Sequence, residues 1–199
     1  MEREEAIKKY LKDGEKDIRL SGTQGLPADV PDALVFSDSD CDEIINVLKS
    51  KKDAAAPVKR VIAQSCVNHP RLRSWLKGNG YIIYGEELWK EGDNFCETTA
   101  AVLESMADEN EIKEADKAEY AEVHYYGTEE TYNEFPLLLR MNNNLTLPEF
   151  VFFKIQETME IADSIVGESL PEEMLEKRRQ AMTRAWLLGV VGNSLYPID

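Results

Sequence analysis

Residues 32–48 read DALVFSDSDCDEIINVL. The run ALVF is short, continuous and apolar, as in a strand buried on both faces. Ile44, Ile45, Val47 and Leu48 then recur at helical spacing. A strand passing through a tight turn into a helix is half of a βα unit, and the turn here carries Asp38, Asp40, Asp42 and Glu43. Negative charge suits a helix N-terminus, and Asp42 or Ser39 can cap its unbonded amides, so the turn has a purely structural reading.

The flanking sequence extends the pattern. Upstream, residues 2–13 predict a helix with Ala6, Ile7, Tyr10 and Leu11 on one face, and DIRLSGTQGLP (17–27) predicts a strand entering a Gly/Pro loop. Downstream, VKRVIAQSCV (58–67) is strand-like, and RLRSWLKGNG (71–80) is a helix with Leu72, Trp75 and Leu76 inward and a glycine stop. YIIYGEELWKEGDNFCETTAAVLE (81–104) places two strand-like runs around the turn KEGDN. Strands alternating with helices predict an α/β fold whose parallel sheet ends in an antiparallel hairpin.

Composition changes after residue 103. Residues 104–120, ESMADENEIKEADKAEY, are acid-rich and predict a solvated excursion or lid. A long helix follows, with Phe150, Phe153, Ile155, Met159 and Ile161 available for burial. The stretch 171–195 starts at Pro171 and meets a Gly/Asn stop at Gly192 and Asn193. The expected division is an α/β domain over 1–127 and a helical hairpin domain over 128–199.

Bulk properties bound the function. The 199 residues are 43% hydrophobic and 31% charged, enough for a folded core. The longest apolar runs, such as AWLLGVV (185–191), are too short to span a bilayer. The charged N-terminus is neither a secretory signal nor a transit peptide, which gives a cytoplasmic default, or an organellar address if a presequence preceded Met1. Three widely spaced cysteines suit free thiols. The net charge of −15 opposes direct nucleic-acid binding overall. A basic patch, if one exists, is sought in KSKKDAAAPVKR (49–60) with Arg71, Arg73 and Lys77.

At this level the order of segments resembles the bacterial tRNA adenine-N1 methyltransferases that act on position 22. RVIAQSCVNHPRLRSWLKGNGYIIYGEELWKEGDNFCETTAAV resembles that family's late strand, helix and hairpin, with its Gln-Pro-Asn motif and Arg-x-Trp-Leu helix. EFPLLLRMNNNLTLPEFVFFKIQETMEIADSI resembles the entry into its helical domain. The resemblance implies a Rossmann-like methyltransferase domain, S-adenosylmethionine as cofactor and a C-terminal helical domain. It covers most of the chain but begins downstream of the family's first strand and Asp-His-Ala turn, so the cofactor cradle has no counterpart.

The departures are local. Where the family carries Gly-Asp-Gly-Leu, Gly25 and Leu26 fit but Thr23 or Gln24 stands for the Asp. Where it carries Ala-Gly-Met-Gly-Gly, this chain has Ser37, Asp38, Ser39, Asp40 and Cys41. At the Gln-Pro-Asn site Gln64 fits, and Ser65 and Cys66 replace the Pro and Asn. These departures give the expectation of a methyltransferase-like fold that has lost its chemistry, a scaffold subunit without cofactor. Its vestigial site is then Gly25, Leu26, Asp38, Asp40, Cys41, Gln64 and Cys66. The alternative is an S-adenosylmethionine-dependent tRNA adenine-N1 methyltransferase, active with an N-terminal half that is missing or separately supplied. A sheet lacking its first strand would leave ALVF or its neighbour with an open edge, which implies a protein partner or a second copy covering it. The −15 charge would suit a basic ribonucleoprotein component.

Other motifs are weaker. Asp38, Asp40 and Asp42 alternate as in an EF-hand, but Glu43 stands at the glycine position and Lys49 at the twelfth. An apolar strand ending in Asp-x-Asp resembles the nucleophile turn of haloacid-dehalogenase-type phosphatases, without the following small hydroxyl residue. Cys66 with His69, the lone His124, Asn144 in the triplet NLT, and Trp75, Trp89 and Trp186 read as ordinary loop, surface and core residues.

Overall fold

The computed structural model describes residues 3–21, 31–37, 39–52, 57–65, 70–124, 144–167 and 169–195. The chain forms α1 (Arg3–Tyr10), β1 (Asp17–Ser21), β2 (Ala33–Ser37), α2 (Cys41–Lys52), β3 (Arg60–Ser65), α3 (Pro70–Gly78), β4 (Tyr81–Glu91) and β5 (Asn94–Leu103). A 3-10 turn at Glu104–Met106 leads to α4 (Glu109–His124), and α5 (Leu147–Ser164) and α6 (Glu172–Leu195) complete the elements. The five strands make one sheet in the order β1-β2-β3-β5-β4. β1, β2 and β3 are parallel, and β5 runs antiparallel to both β3 and β4. The expected α/β sheet with a terminal hairpin and a following helical pair is the fold observed. The boundary expected at residues 127 and 128 lies outside the described residues.

Strand periodicity explains the layers. Leu34, Phe36, Val61 and Ala63 point to one face and pack on Ile44, Ile45 and Leu48 of α2 and Leu72 and Leu76 of α3. Val35, Ile62 and Ala100 point to the other face and meet Ile7 and Tyr10 of α1. Burial on both faces is why β2 reads as an unbroken apolar run. β1 closes one edge of the sheet, with Asp17, Arg19 and Ser21 turned outward or half-exposed and Leu20 buried.

The hairpin turns at Gly92, whose φ of +63° is a left-handed conformation that side chains resist. Its second glycine solves a packing problem. The β4–β5 register slips between Ile83 and Gly85, and a Cβ on Gly85 would lie 2.1 Å from the Tyr10 ring. Tyr84, at the slip, meets Tyr10 edge to face at 5.8 Å and donates to the Tyr10 carbonyl at 3.0 Å.

Arg60, the largest fully buried side chain among the described residues, anchors the amino-terminal end of β3. Its guanidinium donates to Glu15 at 2.8 and 3.1 Å, to Glu111 at 2.6 Å and to the Tyr84 hydroxyl at 2.5 Å. Lys12 pairs with Glu111 at 3.0 Å and Asp108 at 2.6 Å, and Lys59 with Glu15 at 3.3 Å. Residues 104–120 are therefore more than a solvated excursion. Helix α4 starts on a reciprocal cap, with Asp108 accepting from the Glu111 amide at 2.9 Å and Glu111 accepting from the Asp108 amide at 2.8 Å. The same Glu111 then reaches Arg60, so an acid-rich segment is docked by a buried cation.

The helices α5 and α6 run antiparallel, since Val151 near the start of one touches Gly192 near the end of the other. Gly192 does not stop the helix as expected, and α6 continues to Leu195. Its missing side chain serves the crossing instead: a Cβ there would sit 3.0 Å from Val151 Cγ1. Leu147, Phe150, Val151 and Leu188 join Leu88 of β4 to attach the pair to the hairpin. Among the described residues, no helix is long and apolar enough to cross a membrane.

Arg60→Ala leaves Glu15 and Glu111 buried without their shared cation and is expected to cost about 3–5 kcal/mol in urea unfolding. Burial pushes both carboxyls up, but hydrogen bonds and charge outweigh it, chiefly from Arg60 at Glu15 and from the Asp108 amide, Arg60 and Lys12 at Glu111, and hold both below the ordinary 4.5. Their contribution is full above that ordinary value and drains as pH falls through the lowered folded values. The Arg60→Ala protein should therefore lose less additional stability than the wild type between neutral pH and pH about 3. Gly85→Ala drives a methyl group into the Tyr10 ring, and thermal unfolding should show a loss of about 1–3 kcal/mol.

Candidate active site at the carboxyl ends of β2 and β3

Open α/β sheets bind ligands beyond the carboxyl ends of their parallel strands, where the turns into the following helices converge. Here those are the ends of β2 and β3, where Ser37 and Gln64 are register partners. β5 brings Thr98 beside Gln64 and Glu97 beside Ser65, and β4 sets Glu87 beside Thr98.

Two polar clusters form at this end, one on each face. On the α1 face, buried Gln64 donates from Nε2 to the Arg3 carbonyl at 2.9 Å and to Thr98 Oγ1 at 3.2 Å. Trp89 donates to the same hydroxyl at 3.1 Å, and the Arg3 guanidinium lies 6.0 Å from the Trp89 ring centre. Glu87 accepts from the Tyr10 hydroxyl at 3.0 Å and pairs with Lys9. Burial and then the Glu87 charge raise the Tyr10 hydroxyl well above the ordinary tyrosine range, so it stays protonated and donating. On the α3 face, buried Arg73 pairs with Glu97 and faces Glu86 at 3.9 Å, while Thr99 donates to Glu97 at 3.1 Å.

The turn after β2 is built by side chains. Asp40 caps α2: its Oδ1 accepts from the Glu43 amide at 2.8 Å, and Glu43 returns a bond to the Asp40 amide at 3.3 Å. Neither Ser39 nor Asp42 does this job. Asp42 reaches across to Arg71 of α3 at 2.8 Å. Cys41 is half-buried, and burial pushes its thiol up while the Arg71 charge pulls the other way less strongly. A raised thiol is a poor nucleophile at neutral pH. Ser39 Oγ and Gln64 Oε1 are buried with no hydrogen-bond partner among the described residues. They are the two polar atoms here that could engage a ligand.

Of the seven positions singled out from the sequence, Asp40, Cys41 and Gln64 lie at this end of the sheet, while Gly25, Leu26, Asp38 and Cys66 lie outside the described residues. So does His69, and the side chain of His124 at the end of α4. The basic run does not form one surface: Arg60 and Arg73 are buried in ion pairs, and Arg71 is exposed beside Asp42. Among the described residues no three His, Cys, Asp or Glu side chains converge as a metal site. Thr98, Trp89, Arg73, Glu86 and Glu97 belong to the site and were missed. For Thr98, Glu86 and Glu97 the signal was polar and acidic residues inside strands otherwise rich in buried groups; Arg73, on α3, and Trp89 gave none.

An S-adenosylmethionine cradle of the kind implied by the resemblance needs backbone within touching distance of the ligand. The positive-φ glycines among the described residues are Gly14, Gly80 and Gly92, and none of them follows β2 or β3. Among the described residues the candidate contacts are Ser39 Oγ and Gln64 Oε1, and the turns after β1 and β3 lie outside them.

A family model described as tRNA (adenine(22)-N(1))-methyltransferase matches residues 7–185, from α1 into α6. The crystal structure of the B. subtilis m1A22 tRNA methyltransferase TrmK is similar at 19% identity and a TM-score of 0.62, over 81% of this chain and 63% of that one. The Streptococcus pneumoniae protein Sp1610 in complex with S-adenosyl-L-methionine shares 17% identity and a TM-score of 0.53, over 81% of this chain and 60% of that one. M. capricolum TrmK in complex with S-adenosyl-homocysteine shares 15% identity and a TM-score of 0.50, over 82% and 60%. At these identities the likeness is one of fold. This chain spans less than two thirds of the length of those structures. No curated protein matches it in sequence.

The expectation of a non-catalytic scaffold is overturned by the family match, which runs through sheet and helical pair alike. It had rested on the cofactor cradle finding no counterpart and on a few substituted residues, and neither by itself reports loss of activity. The expectation of no cofactor is likewise without support, since two structures of this fold hold S-adenosyl-L-methionine or its product.

Asp40→Ala removes the α2 cap and should cost about 1 kcal/mol in thermal unfolding. Asp42→Ala breaks only an exposed ion pair with Arg71 and should change stability by less than about 0.5 kcal/mol.

Proposed function

The chain belongs to the tRNA (adenine(22)-N(1))-methyltransferase family, and on that premise we propose that it takes part in S-adenosylmethionine-dependent methylation of adenine N1 in tRNA. The observation that carries this reading is the match over residues 7–185, which includes every strand of the sheet and most of the helical pair. S-adenosylmethionine, when bound, supplies the methyl group. Adenine N1 has an available lone pair at neutral pH, so no side chain is needed to remove a proton from it. The protein's contribution is then placement of the base and exclusion of water.

The residues at hand for placement are those of the carboxyl end of the sheet. Gln64 Oε1 can accept from a base edge, and Ser39 Oγ can accept from or donate to one. Trp89 is held by Thr98 at the floor of the same cluster. The cofactor cradle is proposed to involve a further unit. The open edge of β1 is the natural place for such a unit, as it can continue the sheet by backbone pairing. On this proposal the edge is covered by a protein partner. Binding of tRNA against a net charge of −15 should depend on a few exposed cations and weaken with salt.

The test uses the protein purified from its own cells with any chain that accompanies it. Labelled S-adenosylmethionine should transfer its methyl group to tRNA with adenine at position 22, producing a reverse-transcription stop there, and should spare a transcript with guanine at 22. A folded preparation that leaves both transcripts unlabelled would overturn the proposal.

A further inference from the structure

The helical pair carries more apolar surface than its own packing uses. On α5, Phe152 and Met159 lie seven residues apart and are 61% and 38% exposed, and Leu145 and Val166, in the turns at its two ends, are 96% and 71% exposed. On α6, Leu175, Met182, Trp186 and Val190 are 50%, 50%, 67% and 41% exposed and fall within an arc of about 80° at 100° per residue. Repeats of seven are the signature of a seam that packs against another helix.

Both stripes open to the same side. The buried face of α5 runs through Val151, Thr158 and Ala162, and that of α6 through Ala181, Ala185 and Leu188. From each buried face the exposed stripe lies about a quarter to a third of a turn onward in the sense of the helix. Because the helices are antiparallel, the same sense of rotation brings both stripes to one side of the pair. The contact between Val151 and Gly192 sets their levels. Phe152 then falls within a residue of the level of Val190, and Met159 falls between Met182 and Trp186.

We propose that this face docks a second copy of the chain, forming a four-helix bundle in which α5 of each copy lies across α6 of the other. The levels support this arrangement. A two-fold axis parallel to the helices lays each α5 row on the matching α6 row of the partner without any shift, and neighbouring helices remain antiparallel. Charge selects the pairing. α5 carries Glu149, Glu157, Glu160 and Asp163 against Lys154, whereas α6 carries Lys177, Arg178, Arg179 and Arg184 against Glu172, Glu173 and Glu176. Laying α5 on α5 opposes two acidic helices, while laying α5 on α6 sets an acidic helix against a slightly basic one.

The proposal does not depend on the methyltransferase reading. In sedimentation equilibrium the chain should dimerise across the micromolar range. Trp186→Glu and Met159→Glu, both at exposed positions, should each weaken the dimer roughly tenfold or more with helical content and melting unchanged. Ile161→Glu, exposed but off the stripe, should leave it intact. Under oxidation, Phe152→Cys protein should cross-link to Val190→Cys protein in preference to itself. A monomer at every concentration overturns the proposal, as does Ile161→Glu acting as strongly as Trp186→Glu. Preferred self-linkage of Phe152→Cys overturns the α5-on-α6 arrangement. A monomer whose binding of a tRNA transcript is lost on Trp186→Glu also overturns it and assigns the face to nucleic acid.

Discussion

The fold depends on how β3 grips α1. Along the α1 face of this central strand stand Arg60, Ile62 and Gln64, two polar residues with an apolar one between. Gln64 holds the first turn of α1 through the Arg3 carbonyl. Arg60 holds its far end through Glu15 and, by way of Tyr84, the Tyr10 carbonyl. Ile62 fills the space beneath Ile7 and Tyr10. A helix of only eight residues is too short to persist alone, so its structure is supplied by these attachments. The same grip places Tyr10 against Gly85, which is why the hairpin strand β4 must slip register there.

A consequence is that acidic residues, so numerous in this chain, are used in two distinct ways. Some start helices: Asp40 with Glu43, and Asp108 with Glu111, form reciprocal caps that satisfy backbone donors. Others are buried against cations, as Glu15 and Glu111 are on Arg60 and Glu97 is on Arg73. The pair of Arg73 with Glu97 on the α3 face of the carboxyl end is of the second kind, and Gln64 lies in the cluster on the opposite face. The membership in a tRNA methyltransferase family and the rigid polar floor at that end are thus compatible, because base methylation at an unprotonated ring nitrogen asks for placement more than for a titrating group.

The helical pair follows a different logic. Its attachment to the sheet uses Leu147, Phe150, Val151 and Leu188 on Leu88 and Phe95. Gly192 lets the helices approach closely, and apolar side chains outside that contact stay exposed. A glycine that looks in sequence like the end of a helix is here the condition for a tight crossing.

Much of the architecture was legible from residue patterns, for definite reasons. ALVF is apolar at every position, as a strand covered on both sides must be, and the turn KEGDN names its own hairpin because Gly92 accepts the left-handed step. The segment order was sufficient to point to the family. Partners distant in sequence were not legible. Arg60 looked like one more surface cation in a lysine-rich run, and only the sheet brings it to Glu15, Tyr84 and Glu111. Phe153, Met159 and Ile161 looked ready for burial, yet which side of a helix is covered depends on where its neighbour lies. The sequence by itself determined the elements, their order and their kinship, since these follow from local periodicity and turn chemistry. The tertiary structure decided which charges are buried together and which apolar faces stay open, because those depend on distances between residues that the chain order does not contain.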